Sequence, residues 1–402
     1  MTPHKPRFRF QDLYQFHGFK FSEICWEKDA LVVSLRRTRR TGTCAACGKR
    51  CSHIQARRRR RARDLSVVST MVFVAFDCFE LDCNCGYLGW ERVSFCEEYS
   101  RYTTRFEEKV VILCAKMTIK DVAAEMSISW NAVKLIDKKH LRKYLVPLDE
   151  ANPKNLGVDE IAYEKGHKYL TVVRDVDLGK VIWIGEGRKK ETLDEFFHKL
   201  GAEKALRIQH VVMDMWDAYI ASVRANTDAI IVFDKFHVAK KINEAVDAVR
   251  KLEFANADSR ERKDMKHKRF LVLARRKNLD EAKRETLRDL LDINTNLTTA
   301  YLLKEQALDI FDETDKDTAI KRLQKWFRNI DNATIAAFKP VAKTIKNYLY
   351  GIINYFDKRI TNAQSEGFNN KINIIKRRAY GYRDLEYFKL KILQSCGKMS
   401  SK

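Results

Sequence analysis

NLGVDEIAYEKGHKYLTVVRDV, residues 155–176, reads as two strands, LGVDEIAY and KYLTVVRDV, joined at hairpin length. A third strand, KVIWIGEG, follows, and ETLDEFFHKLG is a short amphipathic helix that stops at Gly201. IQHVVMDM is a fourth strand, DAYIASVRAN a helix, and AIIVFDKFHV a fifth strand. Three hairpin strands are thus followed by helix, strand, helix and strand. In that order the first and fourth strands are neighbours. Asp159 and Asp214 then face each other, although 55 residues separate them.

This is the ribonuclease-H-like order of elements, and such a fold gathers distant carboxylates around two Mg²⁺ ions. A third acid, Glu366, stands at the start of a late basic helix in TNAQSEGFNNKINIIKRRAYGYRDLEYFKLKIL, residues 361–393. Phosphodiester chemistry at neutral pH needs an activated nucleophile and charge relief on the leaving oxygen, and two hard cations supply both. Mg²⁺ takes oxygen ligands and keeps several waters, so two or three carboxylates suffice. Asp159 would bridge both ions, with Asp214 and Glu366 each completing one site. Any one of these acids alone is better read as a cap or a solvated loop residue. Together they occupy two strand ends and a helix start in the right topological order. Glu160, Asp175, Asp217 and Asp234 are near competitors; Asp217 reads as an N-cap, and Asp234 with His237 as groups that shape the site. Around Glu366, Asn362, Gln364, Asn369, Asn370, Lys371, Lys376, Arg377 and Arg378 would align a DNA strand through its phosphates. Ile372, Ile374, Ile375 and Leu385 would form the buried side.

Outward from this core, residues 240–345 show helical periodicity and no convincing strand. That is too long for a loop and reads as a helical insertion. Trp326 and Phe327 within it fit amphipathic core positions better than a base-stacking role. Upstream, MTIKDVAAEMSISWNAVKLIDKKHL, residues 117–141, has the helix-turn-helix pattern. Val122 and Ala123 lie on its first helix, Ser127 and Ile128 in the turn, and Val133 and Ile136 face inward from the second. Ser129, Trp130, Asn131 and Lys134 stand at the end that meets base edges, and Asn131 suits adenine. A plain helical hairpin is the competing reading. Further upstream, Leu13–Phe21 and Leu31–Arg36 read as short strands. TMVFVAFDCFELDC alternates with Val72, Val74 and Phe76 on one face.

The expected architecture is multidomain α+β. An N-terminal β region with zinc-binding cysteines spans 1–100 and a helix-turn-helix domain 101–150. The first part of the ribonuclease-H-like core spans 151–245, the helical insertion 246–345, and the final part with the Glu366 helix 346–402.

Composition narrows the partners. Of 402 residues, 45% are hydrophobic, which suits a globular chain. The net charge of +23 suggests a polyanionic partner, most simply nucleic acid. The charge is clustered: twelve Lys or Arg and no acid lie between Arg36 and Arg63. Arg57, Arg58, Arg59, Arg60, Arg61 and Arg63 would follow phosphates or enter a narrow A·T-rich minor groove. No apolar run approaches the ~20 residues of a membrane span, and no signal-peptide core is evident. An intracellular chain, with no membrane partner, is expected. Its ten cysteines are then thiols or metal ligands rather than disulfides, and six lie between Cys44 and Cys85. Cys44-Ala-Ala-Cys47-Gly48 is half of a zinc knuckle. Cys83-Asn84-Cys85-Gly86 would be the other half, with an unusually tight spacing that leaves Cys51, His53 and Cys78 as alternative ligands. Such a zinc is structural, since a closed four-ligand site leaves no position for chemistry.

Over nearly its full length the chain resembles the bacterial insertion-sequence DDE transposases of the ISL-three group. The matching pieces are the cysteine pairs, the helix-turn-helix, GVDE, VVMDMWDAY, VFDKFHV and TNAQSEGFNNKINIIKRRAYGYRD. The resemblance implies that Asp159, Asp214 and Glu366 are the triad for two Mg²⁺ or Mn²⁺ ions. It also implies excision and insertion of an element bounded by terminal inverted repeats. The expected partners are double-stranded DNA, both repeat and target, and further copies of the chain when two ends are paired. A bacterial cytoplasmic, nucleoid-associated location follows. Two readings compete: a transposase-derived regulator that binds without cutting, and a structure-specific nuclease without strand transfer. The intact triad argues against the first. The helix-turn-helix and zinc region argue against the second.

Overall fold

The computed structural model describes residues 16–164, 166, 168–360 and 364–399, with side chains at all of these but 364–366. The chain divides into two compact units between Lys143 and Tyr144.

The first unit begins with strands β1 (Phe19–Glu27), β2 (Ala30–Arg37), β3 (Gly42–Thr43), β4 (Arg50–Cys51), β5 (Ile54–Val67), β6 (Thr70–Asp82) and β7 (Leu88–Trp90). The main sheet has the order β1-β2-β6-β5, with β7 added to β6, while β3 and β4 form a separate hairpin. The first strand is displaced from the expected Leu13–Phe21, whose first three residues lie outside the described ones. Gly18 at φ +84° makes a turn there, closed by the Phe19 N–H on the Phe16 carbonyl at 2.9 Å, so extended backbone starts only at Phe19. Val72, Val74 and Phe76 do share the buried face of β6.

The arginine run is itself a strand, β5. It pairs antiparallel with β6 from Ile54↔Leu81 to Val67↔Thr70. Arg58 and Arg60 point to the core face of the sheet and survive there by laying their stems and guanidinium planes on rings: Arg58 over Trp90 at 3.8 Å and Arg60 over Phe76 at 5.4 Å.

Helices α1 (Thr104–Cys114), α2 (Ile119–Met126) and α3 (Trp130–Tyr144) follow. Thr103 and Thr118 cap the first two by accepting from Phe106 and Asp121 N–H, and Ser127 at φ 51° ends α2 in the left-handed conformation. Val122, Val133 and Ile136 are buried between them.

The second unit is built on β8 (Asn155–Glu164), β9 (Lys168–Asp175), β10 (Lys180–Glu186), β11 (His210–Met213) and β12 (Ile230–Phe233). The sheet order is β10-β9-β8-β11-β12. The first three strands are antiparallel neighbours, and β11 runs parallel to both β8 and β12. Seven helices carry the rest of the argument: α4 (Lys190–Leu200), α5 (Asp217–Asn226), α6 (Lys235–Asn256), α7 (Thr295–Ile310), α8 (Lys316–Asn332), α9 (Gln364–Arg378) and α10 (Leu385–Cys396). Leu156, Val158 and Val173 face Phe196, Phe197 and Tyr219 on one side of the sheet. Ile161, Leu170 and Val172 face Ile372, Phe388 and Ile392 on the other.

Three sequence expectations change here. The fifth strand stops at Phe233, because the Asp234 carboxylate accepts from the Phe236 N–H at 3.0 Å and starts α6; His237 therefore sits on a helix. Asp217 is the first residue of α5 rather than its cap, and its carboxylate instead accepts from the Tyr348 hydroxyl at 2.8 Å. Ile374 is 62% exposed, since two residues along a helix from buried Ile372 lies nearly the opposite face.

Residues 240–345 contain helices and turns without a strand. No helix among the described residues is long and apolar enough to cross a membrane. Trp326 on α8 is 1% exposed, and its indole N–H donates to the Leu303 carbonyl of α7 at 2.8 Å. Trp326→Ala should therefore cost about 3–5 kcal/mol, read as a lower denaturant midpoint. If Trp326 instead stacked on DNA, the variant would keep its midpoint and lose affinity.

Candidate active site and metal centre

The register His210↔Asn155 to Val212↔Gly157 fixes β11 against β8. Continued by two residues, it sets Asp214 abreast of Asp159. Met213 in turn pairs with Phe233, so Asp234 follows β12 at the same level, and its N–H donates to the Met213 carbonyl at 3.1 Å. Three carboxylates, one within β8 and one just beyond each of β11 and β12, thus lie side by side.

Asp159 is 8% exposed. One carboxylate oxygen accepts from Asn369 Nδ2 at 2.9 Å and the other from the Glu160 N–H at 2.8 Å. Asn369 comes from α9, whose Ile372 is packed on the same sheet face. Asp214 Oδ1 lies 2.8 Å from His237 Nε2, at the start of α6. Burial, and next to it the Asp214 charge, raise the pKa of Asp159 and of Glu160. Burial raises Asp234 too. Burial would lower His237, but its bond to Asp214 and the surrounding carboxylates hold it above its ordinary value.

Sequence reading missed two cations here. Arg174, next to last in the strand β9 and following the apolar Val172 and Val173, is 4% exposed, feels Asp159 and Asp234, and lies over the Phe368 ring at 5.1 Å. A buried arginine must be paired, and that was the available signal. Arg188 sits between the rings of Tyr169 (4.1 Å) and Trp216 (4.8 Å) and pairs with Glu160 at 3.5 Å. Nothing in its local sequence marks it.

Glu366 falls on the first turn of α9, three residues before Asn369. Its side chain, like Asn362, lies outside the described residues. Lys376 donates to the Ala162 carbonyl at 3.1 Å and Lys371 to that of Ser395. Arg377 and Arg378 are exposed on the last turn. The donor set of the cluster is hard carboxylate oxygen with more negative than positive charge, which suits a divalent cation of the Mg²⁺ type.

A second cluster lies in the first unit. The Sγ atoms of Cys44, Cys47, Cys83 and Cys85 all fall within 4.8 Å of one another. The Cys44–Cys85 and Cys47–Cys83 separations are both 3.7 Å. A tetrahedral zinc about 2.3 Å from each thiolate would set sulfurs about 3.8 Å apart, so the cluster is compatible with zinc. Gly48 (φ +70°) and Gly86 (φ +86°) make the two turns that present the thiols. The Cys47 N–H lowers the pKa of Cys44; the Cys85 N–H would lower that of Cys83, but burial and the neighbouring thiols push it up to about 12. The alternative ligands stand apart: Cys51 donates to the Asp82 carbonyl at 3.2 Å, and Cys78 is buried in the core of the main sheet.

The arginines of β5 are largely engaged within the unit. Arg57 and Arg59 pair with Asp77, and Arg61 with Glu27. Arg60 donates to the Glu97 and Ser100 carbonyls at 2.8 and 2.9 Å. Arg63 is 5% exposed and donates to Ser66. On α3, Ser129, Trp130 and Asn131 are exposed, with Lys134 Nζ 5.6 Å from the Trp130 ring centroid. Ser129 caps the helix, accepting from the Ala132 N–H at 3.2 Å.

A family model described as a transposase, of the DDE class, matches residues 156–392, and one for the helix-turn-helix domain of transposase family ISL3 matches residues 91–141. The chain belongs to this transposase family. The transposase is 34% identical over 391 residues to the transposase for insertion sequence element IS1001 of Bordetella parapertussis, covering 95% of this chain and 96% of that one. It is 28% identical over 367 residues to the transposase for insertion sequence element IS1557 of Mycobacterium tuberculosis H37Rv, covering 85% and 82%. The resemblance read from the sequence is thus confirmed at the level of family. DNA-cleaving activity and DNA binding are implied in general by that family, and its DDE domain suggests use of a divalent metal.

If Asp159 holds a divalent cation, Asn369 is the partner that orients it, and loss of such a partner typically costs 10–100-fold in metal affinity. Asn369→Ala should weaken Mn²⁺ binding about that much, measured by titration calorimetry with a wild-type melting curve. Since Asp159 and Glu160 hold their protons above the ordinary carboxylate range, Mn²⁺ affinity should fall with decreasing pH before a solvent-exposed carboxylate would protonate. Affinity that is flat down to about pH 4 would contradict the assignment.

Proposed function

We propose that the transposase binds the terminal inverted repeats of an insertion element, hydrolyses the phosphodiester at the element end, and transfers the freed 3′-OH to target DNA. The observation that carries this reading is the Asp159–Asp214 juxtaposition, with Asn369 reaching Asp159 from the helix on which Glu366 lies. The strand order and the helices on both faces support a ribonuclease-H-like core, spanning 151–245 and 346–402, with 246–345 inserted. The regions 1–100 and 101–150 are then the zinc-bearing and helix-turn-helix domains.

In this reading Asp159, Asp214 and Glu366 hold two Mg²⁺ ions, with Mn²⁺ able to substitute. Bound there, such ions activate the attacking oxygen and relieve charge on the leaving one. Asn369 and the Glu160 N–H fix the orientation of Asp159. His237 fixes Asp214. Arg174, on the same face of the sheet as Asp159, lowers the net charge. Arg377 and Arg378 reach toward phosphates, and Ser129, Trp130, Asn131 and Lys134 toward base edges. Cys44, Cys47, Cys83 and Cys85 hold a structural zinc. Two ends must meet for strand transfer, so the active assembly contains at least two copies.

The test is cleavage of a labelled duplex carrying the terminal repeat, with Mg²⁺ or Mn²⁺, for the wild type, Asp159→Ala and Glu366→Gln. Nicking at the repeat end followed by joined products is expected from the wild type alone. Nicking without joining would favour a nuclease. Specific binding with no cleavage in either metal would favour a regulator and remove the catalytic assignment. Chelation should release one zinc per chain and lower the melting temperature of the first unit, followed by atomic emission and calorimetry. Release without any thermal effect would argue against a structural role.

A further inference from the structure

The arginine strand is the most basic segment of the first unit, yet Asp77 and Glu27 already engage its exposed arginines. A different set is free. Arg39 after β2, Arg50 on β4 and Arg92 after β7 line one cleft of about 910 Å³. All three are exposed, and none has an ion pair or side-chain hydrogen bond among the described residues.

They converge because one partly buried cation ties their segments together. The Arg37 guanidinium lies over the rings of Phe79 (3.9 Å) and Phe19 (4.7 Å), pairs with Glu91, and donates to the Thr41 and Asp77 carbonyls at 3.2 and 3.1 Å. Thr43 pairs with Arg50 across the β3–β4 hairpin and accepts from the Arg92 N–H at 2.8 Å. Arg50 also closes the turn that holds Cys44 and Cys47, so the cysteine cluster sets one wall. The acids nearby are engaged: Glu91 by Arg37 and the Phe79 N–H, Glu97 by Lys139, and Glu98 by the Tyr99 hydroxyl.

We propose that this cleft, rather than the arginine strand, is where the first unit grips the sugar–phosphate backbone of duplex DNA. The proposal rests on the DNA-binding reading above and locates its electrostatic part. A phosphate that meets a free arginine gains a charge-assisted, fork-shaped hydrogen bond and releases a condensed counterion. A phosphate that meets Arg57 or Arg61 must compete with a carboxylate already in place, so its net gain is smaller.

The experiment uses the full chain and a fluorescein-labelled duplex of mixed sequence, with Kd followed by anisotropy across a salt series. Each neutralised phosphate contributes about 0.9 to the slope of log K against log salt. The triple variant R39A/R50A/R92A should lower that slope by about 2–3, and R39K/R50K/R92K should restore most of it. The strand variant R57A/R59A/R61A should lower it by less than about 1. Melting curves confirm that each variant is folded. A cleft variant with the wild-type slope, or a strand variant that loses as much as the cleft variant, overturns the proposal while leaving DNA binding intact. A wild-type chain that does not bind the duplex at all overturns the DNA-binding reading as well.

Discussion

Two carboxylates held abreast by a parallel strand pair repel each other, and much of the second unit is arranged around that repulsion. The β8–β11 register sets Asp159 and Asp214 side by side: Asp159 is paired with Val172 of β9, and Asp214 directly follows Met213, which is paired with Phe233 of β12. Two like charges about 4 Å apart cost on the order of 4 kcal/mol at an effective dielectric of about 20. A hydrogen bond contributes only about 1 kcal/mol net. Asn369 can therefore aim Asp159 but cannot offset the charge. Arg174 and His237 offset part of it, and Glu160 and Asp234 add more of the same sign. The surplus is what a divalent cation would relieve, so a cluster that is unfavourable by itself is explicable as a binding site.

Helix α9 links that electrostatics to the hydrophobic core. Ile372 anchors it on the Asp159 face of the sheet, beside Phe388 and Ile392 of α10. Lys376 fixes its end to the edge of β8 through the Ala162 carbonyl. One turn before Ile372, Asn369 then reaches Asp159. The position of α9 is thus set by apolar packing more than 200 residues downstream of Asp159.

Much of this was legible because it depends on periodicity and order. The alternation in TMVFVAFDCFELDC and the apolar runs of β8, β9 and β11 decide the two sheets, and the strand order alone pairs Asp159 with Asp214. What was not legible depends on partners that a one-dimensional pattern does not name. Gly18 starts a turn that moves β1 downstream. The Asp234 carboxylate captures the Phe236 N–H and converts the end of an expected strand into a helix, carrying His237 to Asp214. The arginines of β5 read from the sequence as a charged run that follows phosphates, yet the apolar pattern of β6 makes them a paired strand. Arg188 becomes visible only once Tyr169, Trp216 and Glu160 are brought around it.

The cysteine region shows the same dependence on partners at its limit. Strands β3 and β4 have two residues each and β7 has three, too few to stand as a sheet. The apolar cluster beneath them, Cys44, Cys51, Phe79, Leu81 and Cys83, is small. Two devices hold these segments together. One is Arg37, stacked between two rings and bonded to Glu91. The other is the cysteine quartet, whose binding free energy, if zinc is held, becomes folding free energy for segments with little core of their own. The net charge of +23 then says only that the partner is a polyanion. Where that partner can be gripped depends on which arginines these two devices leave without a carboxylate. That distribution follows from the fold rather than from the density of arginine in the sequence.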